Sequence, residues 1–180
     1  MKYNLQNTIE RFQTEEQLDF LFFWGHSTKD KITKSCFSQW FPAQFEENGV
    51  LYRTAEHYMM AEKARLFNDN EIRTLIIEIN DPKEAKSLGR KIKNFDHQIW
   101  DERKYEIVKR GNLLKFSQNA DLREFLLSTD QKVIVEASPY DTIWGIGMLE
   151  SDPKAKNPNQ WRGENLLGFA LMEVRDELRK

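Results

Sequence analysis

The chain has 180 residues, of which 39% are hydrophobic and 31% charged, with a formal net charge of -2. That balance belongs to a folded domain large enough for a core of its own, and it excludes a disordered or membrane-spanning chain. It also lacks the basic excess with which a protein that tracks nucleic-acid phosphates neutralises its partner, so any such contact has to be local.

Cys36 is the only cysteine, which rules out an intramolecular disulfide and a thiolate metal cluster. His26, His57 and His97 lie far apart and show no metal-ligand spacing, so neither a metal nor a cofactor is expected. The opening MKYNLQNTIE has no apolar stretch like that of a signal peptide, and no run is long enough to cross a membrane. A cytoplasmic location without membrane association is the expectation, and no obligate protein partner is inferred.

In chain order, residues 1–19 are polar with a weak helical pattern and read as an N-terminal extension packed on a domain of residues 20–180. FLFFWGH, starting at Phe20, is a short apolar run suited to a buried strand. A lysine-rich loop, STKDKITKS, leads into CFSQWFP. AQFEENGVLYR is a hairpin pattern with Asn48-Gly49 at its turn.

Thr54 is placed to cap the helix that begins in YRTAEHYMMAEKARLF, and NDNEIRTLIIEIN continues helically. In DPKEAKSLGR, Asp81 caps, Pro82 takes the first helical position and Glu84 completes a capping box. A longer helix covers roughly Asp96 to Phe116, weakened by Gly111, and DLREFLL forms a short one. KVIVEAS is a strand by its branched residues, PYDTIWGIG a turn, SDPKAKNPNQ a polar loop, and ENLLGFALMEVRDELR an amphipathic closing helix. These patterns predict one helix-rich α+β domain with a small β-sheet, of unknown strand order.

The helix after Thr54 mixes charged and apolar residues. Glu56 and Lys63 fall on one face, about 10 Å apart, with Met59 and Met60 between them. Such a face is either an ion-paired surface or the wall of a ligand site. Asp141 and Trp144 share a turn, where the aspartate either caps its own backbone or faces a ligand. Glu136 stands inside an apolar strand as a buried ion-pair partner or a site residue. Lys34 and Trp40 flank Cys36, which reads as a buried structural thiol. His57, on another face of its helix, reads as a packing residue. Trp161 and Arg162 precede the last helix, where an arginine suits an anion. Carboxylates, tryptophans and scattered cations together suit a ligand with a flat base, a sugar and phosphates.

Taken in order, FWGH, KSCFSQW, YRTAEHYMMAEKARLF, PKEAKSLGR, VKRGNLLKFSQN, VIVEASPYDTIWGIG and NQWRGENLLGFALMEVR resemble the NADAR, or YbiA-like, family over roughly residues 20–178. The resemblance implies a YbiA-like fold and a metal-independent N-glycosidase that cleaves a ribose C1–N bond. Its substrate would be ADP-ribosylated guanine, or alternatively a phosphoribosylamino-pyrimidine intermediate of riboflavin synthesis. A small-molecule or nucleic-acid-linked ribosyl base is thus the implied partner. Glu56 and Asp141 match the family's carboxylates, and Trp144 and Trp100 its tryptophans. Lys34 marks the branch associated with ADP-ribosyl-guanine. The implied catalytic set is Glu56, Asp141 and Lys34, with Lys34 either a Schiff-base nucleophile or a phosphate ligand. Trp40, Trp100, Trp144, Lys63, Trp161 and Arg162 would bind substrate. Thr129-Asp130 departs from a Thr-Gly common in the family and should alter only a turn. The rival function from another class is a binding module that holds ADP-ribose or NAD without turnover. A weaker third is a structural partner in a larger assembly.

Overall fold

A computed structural model describes residues 1–14, 17–27 and 31–180, so part of the lysine-rich loop, residues 28–30, lies outside the described residues. Helix α1 (Leu5–Gln13) is followed by strand β1 (Phe20–Phe23) and a short 3-10 turn, Lys34–Phe37. A hairpin of β2 (Phe45–Glu47) and β3 (Val50–Tyr52) leads into α2 (Ala55–Leu66), α3 (Asn70–Glu78) and α4 (Pro82–Gly89). The long α5 (His97–Gln118), α6 (Ala120–Leu127), β4 (Val133–Glu136), two further 3-10 turns and α7 (Leu166–Leu178) complete the chain. The fold is α+β and helix-rich, as expected. Among the described residues the strands form two separate pairs: β1 runs parallel to β4, with Phe20 opposite Val133 and Phe23 opposite Glu136, and β2 is antiparallel to β3.

Local signals account for most boundaries. Asn48 and Gly49 take the left-handed conformation, φ 52° and 79°, that a two-residue hairpin turn requires. Thr54, Asp69, Asp81 and Asp96 each accept a backbone N–H at the start of α2, α3, α4 and α5, satisfying donors that a helix leaves open. The cap at Asp81 receives the N–H of Lys83, with Pro82 next to it.

Two helices run through the core. Helix α2 buries Ala55 through Glu62 against α3, α4 and α5. Helix α7 buries Leu166 through Arg175 against β4, α5 and α6, so the helix read as amphipathic is covered all round over that stretch. A helix covered on all sides can hold polar groups only when they are paired. Glu173 accepts the backbone N–H of Lys2 at 2.6 Å and the Tyr105 hydroxyl at 2.9 Å, and Arg175 donates to Thr129 Oγ1 and to the Lys132 carbonyl, both at 2.9 Å. The residues before α1 are thus tied to α7, and Tyr3 adds a 2.8 Å hydrogen bond to Asp176.

Gly111 does not interrupt α5, which runs unbroken across it. A Cβ there would meet the Tyr58 ring at 2.6 Å, so glycine is what lets α5 lie against α2. Gly111→Ala should therefore destabilise the protein by about 1–3 kcal/mol through overpacking. Urea unfolding checks this, because a free helix surface would instead gain roughly 1 kcal/mol from the same change.

Candidate active site

The parallel pair positions the site. The chain leaving β1 carries Trp24 and His26, and the chain leaving β4 carries Ser138, Tyr140, Asp141 and Trp144; both emerge at the same end of the paired strands. With Gln39, Trp40, residues of α2, Lys86 of α4 and Trp100 of α5 they enclose a cavity of about 530 Å³. Sequence-predicted Glu56, Asp141, Trp40, Trp100, Trp144 and Lys63 all line it, brought together from four segments of the chain.

Helix α2 gives the floor. Glu56 is only 2% exposed, its backbone N–H bonds the Gln39 carbonyl at 2.9 Å, and its Oε1 has no hydrogen-bond partner. Burial pushes its carboxyl up to about 7. Lys86, a hydrogen bond from Trp40 and Arg90 oppose that rise, and Asp141 adds to it. Lys63, two turns along, donates to the Gly89 carbonyl at 3.0 Å and lies 4.1 Å from the Phe95 ring centroid and 5.4 Å from that of Trp100. Burial, helped by Arg90, lowers its ammonium below the usual lysine range. His57 points away from this cavity and bonds Thr54 through Nδ1 at 2.8 Å, a packing residue as its helix position suggests.

The opposite wall is the turn after β4. Asp141 Oδ1 accepts the N–H groups of Ile143 at 2.9 Å and Trp144 at 2.7 Å, so it caps its own turn and lines the cavity at the same time. Gly145 permits that fold, since a Cβ there would stand 2.8 Å from the Glu136 carbonyl. Asn165, at φ 55°, clamps the free side of β4: its Oδ1 accepts the Glu136 N–H at 2.9 Å and its Nδ2 donates to the Ile134 carbonyl at 3.0 Å. Gly168 lets α7 approach closely enough for this, because a Cβ would sit 2.1 Å from the Ile134 carbonyl.

The third wall is the segment around the 3-10 turn. Lys115 of α5 is fully buried and donates to the carbonyls of Cys36 at 2.6 Å and Ser38 at 2.9 Å; burial lowers its ammonium to about 8. Asn112 holds the Gln39 side chain at 3.1 Å. These bonds fix the turn that presents Gln39 and Trp40 to the cavity. Cys36 is buried within it, and that burial pushes its thiol up to about 12, as expected of a structural cysteine.

Three expected site residues are elsewhere. Lys34 is half exposed and paired with Glu150 at 2.8 Å, outside the cavity lining. Trp161 is buried, donates its indole N–H to the Ala155 carbonyl at 2.7 Å and meets Phe20 edge-on at 6.0 Å, which makes it a core residue. Arg162 is exposed, its backbone bonded to Ile146, and does not line the cavity. Conversely, Lys86, Trp24 and Tyr140 line the cavity although they are not among the site residues expected from the family motifs in which they lie. Glu136, ambiguous as a carboxylate in an apolar strand, also lines it.

The buried carboxylate fixes a pH dependence of stability. A glutamate with an unfolded value near 4.3 and a folded value of about 7 favours folding fully below the unfolded value, and that contribution is lost as pH rises through 7. Glu56→Gln should raise the melting temperature by several degrees at pH 9 and change it little at pH 5. Thermal melts at the two values check this; an equal shift at both would point to packing alone.

Comparisons with known proteins find relatives over most of the chain. The NADAR domain model matches residues 22–179. The N-glycosidase R617 of Acanthamoeba polyphaga mimivirus is 47% identical over 163 residues, covering 88% of this chain and 95% of its own length. The N-glycosidase YbiA of Escherichia coli (strain K12) is 30% identical, covering 85% of this chain and 86% of its own. The NMR structure of E. coli YbiA superposes with a TM-score of 0.70 at 29% identity, over 95% of this chain and 91% of that one. Matched by that domain model over nearly its whole length and by relatives up to 47% identical, this chain belongs to the NADAR domain family.

Proposed function

We propose that the chain removes ADP-ribose from ADP-ribosylated guanine bases by hydrolysing the ribose C1–N bond. Relatives support the reaction class: proteins 47%, 36% and 30% identical over most of this chain are named N-glycosidases, and this chain is an enzyme of that class. The observation that carries the reading is Glu56, a buried carboxylate with an unpartnered oxygen at the floor of a tryptophan-lined cavity. When the base departs, positive charge develops on the sugar at C1. An ionised Glu56 facing that charge in a poorly hydrated site stabilises it, and Trp40, Trp100 and Trp144 offer faces for flat rings. A mere reader of ADP-ribose has no use for an unpaired carboxylate, whose desolvation weakens the fold.

A larger ribosyl substrate is supported by a second hollow of about 770 Å³ that shares His26 and Trp40 with the first cavity and is lined by Arg53 and Lys83 together with Asp81, Arg53 also donating to the Ile77 carbonyl at 2.7 Å. A diphosphate-linked extension of the sugar would meet two cations there, Arg53 and Lys83. A phosphoribosylamino-pyrimidine would leave it empty.

Incubating the purified chain with ADP-ribosylated guanosine, and in parallel with a phosphoribosylamino-pyrimidine, and following the free base by mass, tests the substrate. Faster release from the first is expected; release from the second alone would move the reading to riboflavin intermediates. Glu56→Gln should lower kcat by a factor of about 100 or more in a folded protein, the usual cost of losing such stabilisation. Because Lys34 is paired with Glu150 outside the cavity, direct attack by water is the route proposed. Lys34→Ala should keep turnover within about threefold, since an exposed pair contributes little. Borohydride should trap no sugar on the protein, and a trapped adduct on Lys34 would restore the covalent route.

A further inference from the structure

Loss of an N-linked base requires more than a stabilised sugar cation. The C1–N electron pair leaves on nitrogen, and a neutral base departs readily only if that nitrogen is protonated. The cavity contains three carboxylates, Glu56, Glu136 and Asp141, that approach it from α2, the end of β4 and the turn beyond. They are not equivalent. Asp141 commits an oxygen to its own turn through two backbone N–H groups. Glu56 receives a hydrogen bond from Trp40 and the attraction of Lys86 and Arg90. Glu136 Oε2 is shielded from solvent with no hydrogen-bond partner, although its backbone is fixed by Asn165 and by the Ile146 N–H bonded to its carbonyl at 2.9 Å.

We propose that Glu136 is the general acid that delivers a proton to the departing base. This rests on the N-glycosidase reading of the same cavity. The titratable groups that line the cavity with Glu136 are Glu56 and Lys63 of α2, Lys86 of α4, His26 after β1, and Tyr140 and Asp141 on its own turn. Burial comes first in pushing its carboxyl up to about 8, the negative charge of Asp141 second, with Lys86 opposing and Glu56 adding to the rise. It therefore carries its proton at neutral pH, where Glu56 begins to ionise. In the step itself the C1–N bond breaks and its electron pair stays on the base nitrogen, which takes the proton from Glu136. Water then adds to C1 and gives its proton to the Glu56 carboxylate, which returns it to solvent, and solvent reprotonates Glu136. The sum is glycoside plus water giving free sugar and free base.

The test is the pH dependence of kcat, measured with whichever of ADP-ribosylated guanosine and the phosphoribosylamino-pyrimidine the wild type cleaves. The wild-type profile should fall on the alkaline side above about 8, as Glu136 loses its proton. Glu136→Gln should lower kcat by a factor of about 100 or more and remove that alkaline limb, the scale of a lost general acid. Binding of ADP-ribose, followed by tryptophan fluorescence, should change by less than about threefold if the side chain acts on the proton rather than on packing. Should Glu136→Gln not fold, Glu136→Asp keeps an acid and should retain the limb at reduced kcat. A wild-type kcat that stays flat above pH 8 overturns the proposal whichever variant folds. So does a folded Glu136→Gln that keeps the limb or loses less than about tenfold. A wild type that cleaves neither probe overturns the reading of the site, and this proposal with it.

Discussion

Everything about the site depends on keeping carboxylates out of water without pairing them. Glu56 and Glu136 each hold an oxygen that is shielded from solvent and has no hydrogen-bond partner. In an ordinary core this would be a defect, since a desolvated acid costs several kcal/mol unless it is paired or protonated. Here the cation that influences both, Lys86, reaches the cavity from a separate helix and lies 5.9 Å above the Trp40 ring, so it moderates their charge without neutralising it. The protein accepts weaker folding in exchange for two acids whose protons move near neutral pH.

The scaffold that bears this cost is two buried helices and a two-stranded parallel pair. Helix α2 presents Glu56 from a fixed backbone, and α7 grips β4 through Asn165 so that Glu136 cannot drift. A strand pair this small would not hold its edge alone. The side-chain amide of Asn165 takes the place of a third strand for two backbone groups of β4. Lys115 performs a similar service for the turn carrying Trp40, with its ammonium satisfied by two backbone carbonyls rather than by an acid.

Features set by neighbouring residues were legible in the sequence. Asn48-Gly49 forms the hairpin turn, Thr54 and Asp81 cap the helices that follow them, and the mixed face of α2 lines a cavity. The features that escaped were set by residues far away in the chain. Whether α7 is covered on one side or all round depends on where β4 and α5 lie, and Gly111 looks like a weak point until the Tyr58 ring is placed against it. Among five tryptophans, pattern alone cannot separate Trp161, whose indole is spent on Ala155, from Trp144, whose backbone is pinned by Asp141. Likewise Lys34 stood out through its aromatic neighbours in sequence, whereas Lys86, on a helix marked only by its start signals and family motif, is the lysine that lines the cavity with the carboxylates.

The central claim, that two unpaired acids share the cavity, is tested most directly by titrating glutamates labelled with carbon-13 at the side-chain carboxyl and following them by NMR. Resonances assigned through Glu56→Gln and Glu136→Gln should show midpoints near 7 and 8, each displaced when the other residue is replaced. Midpoints for both in the ordinary glutamate range near 4.3, insensitive to each other, would contradict it.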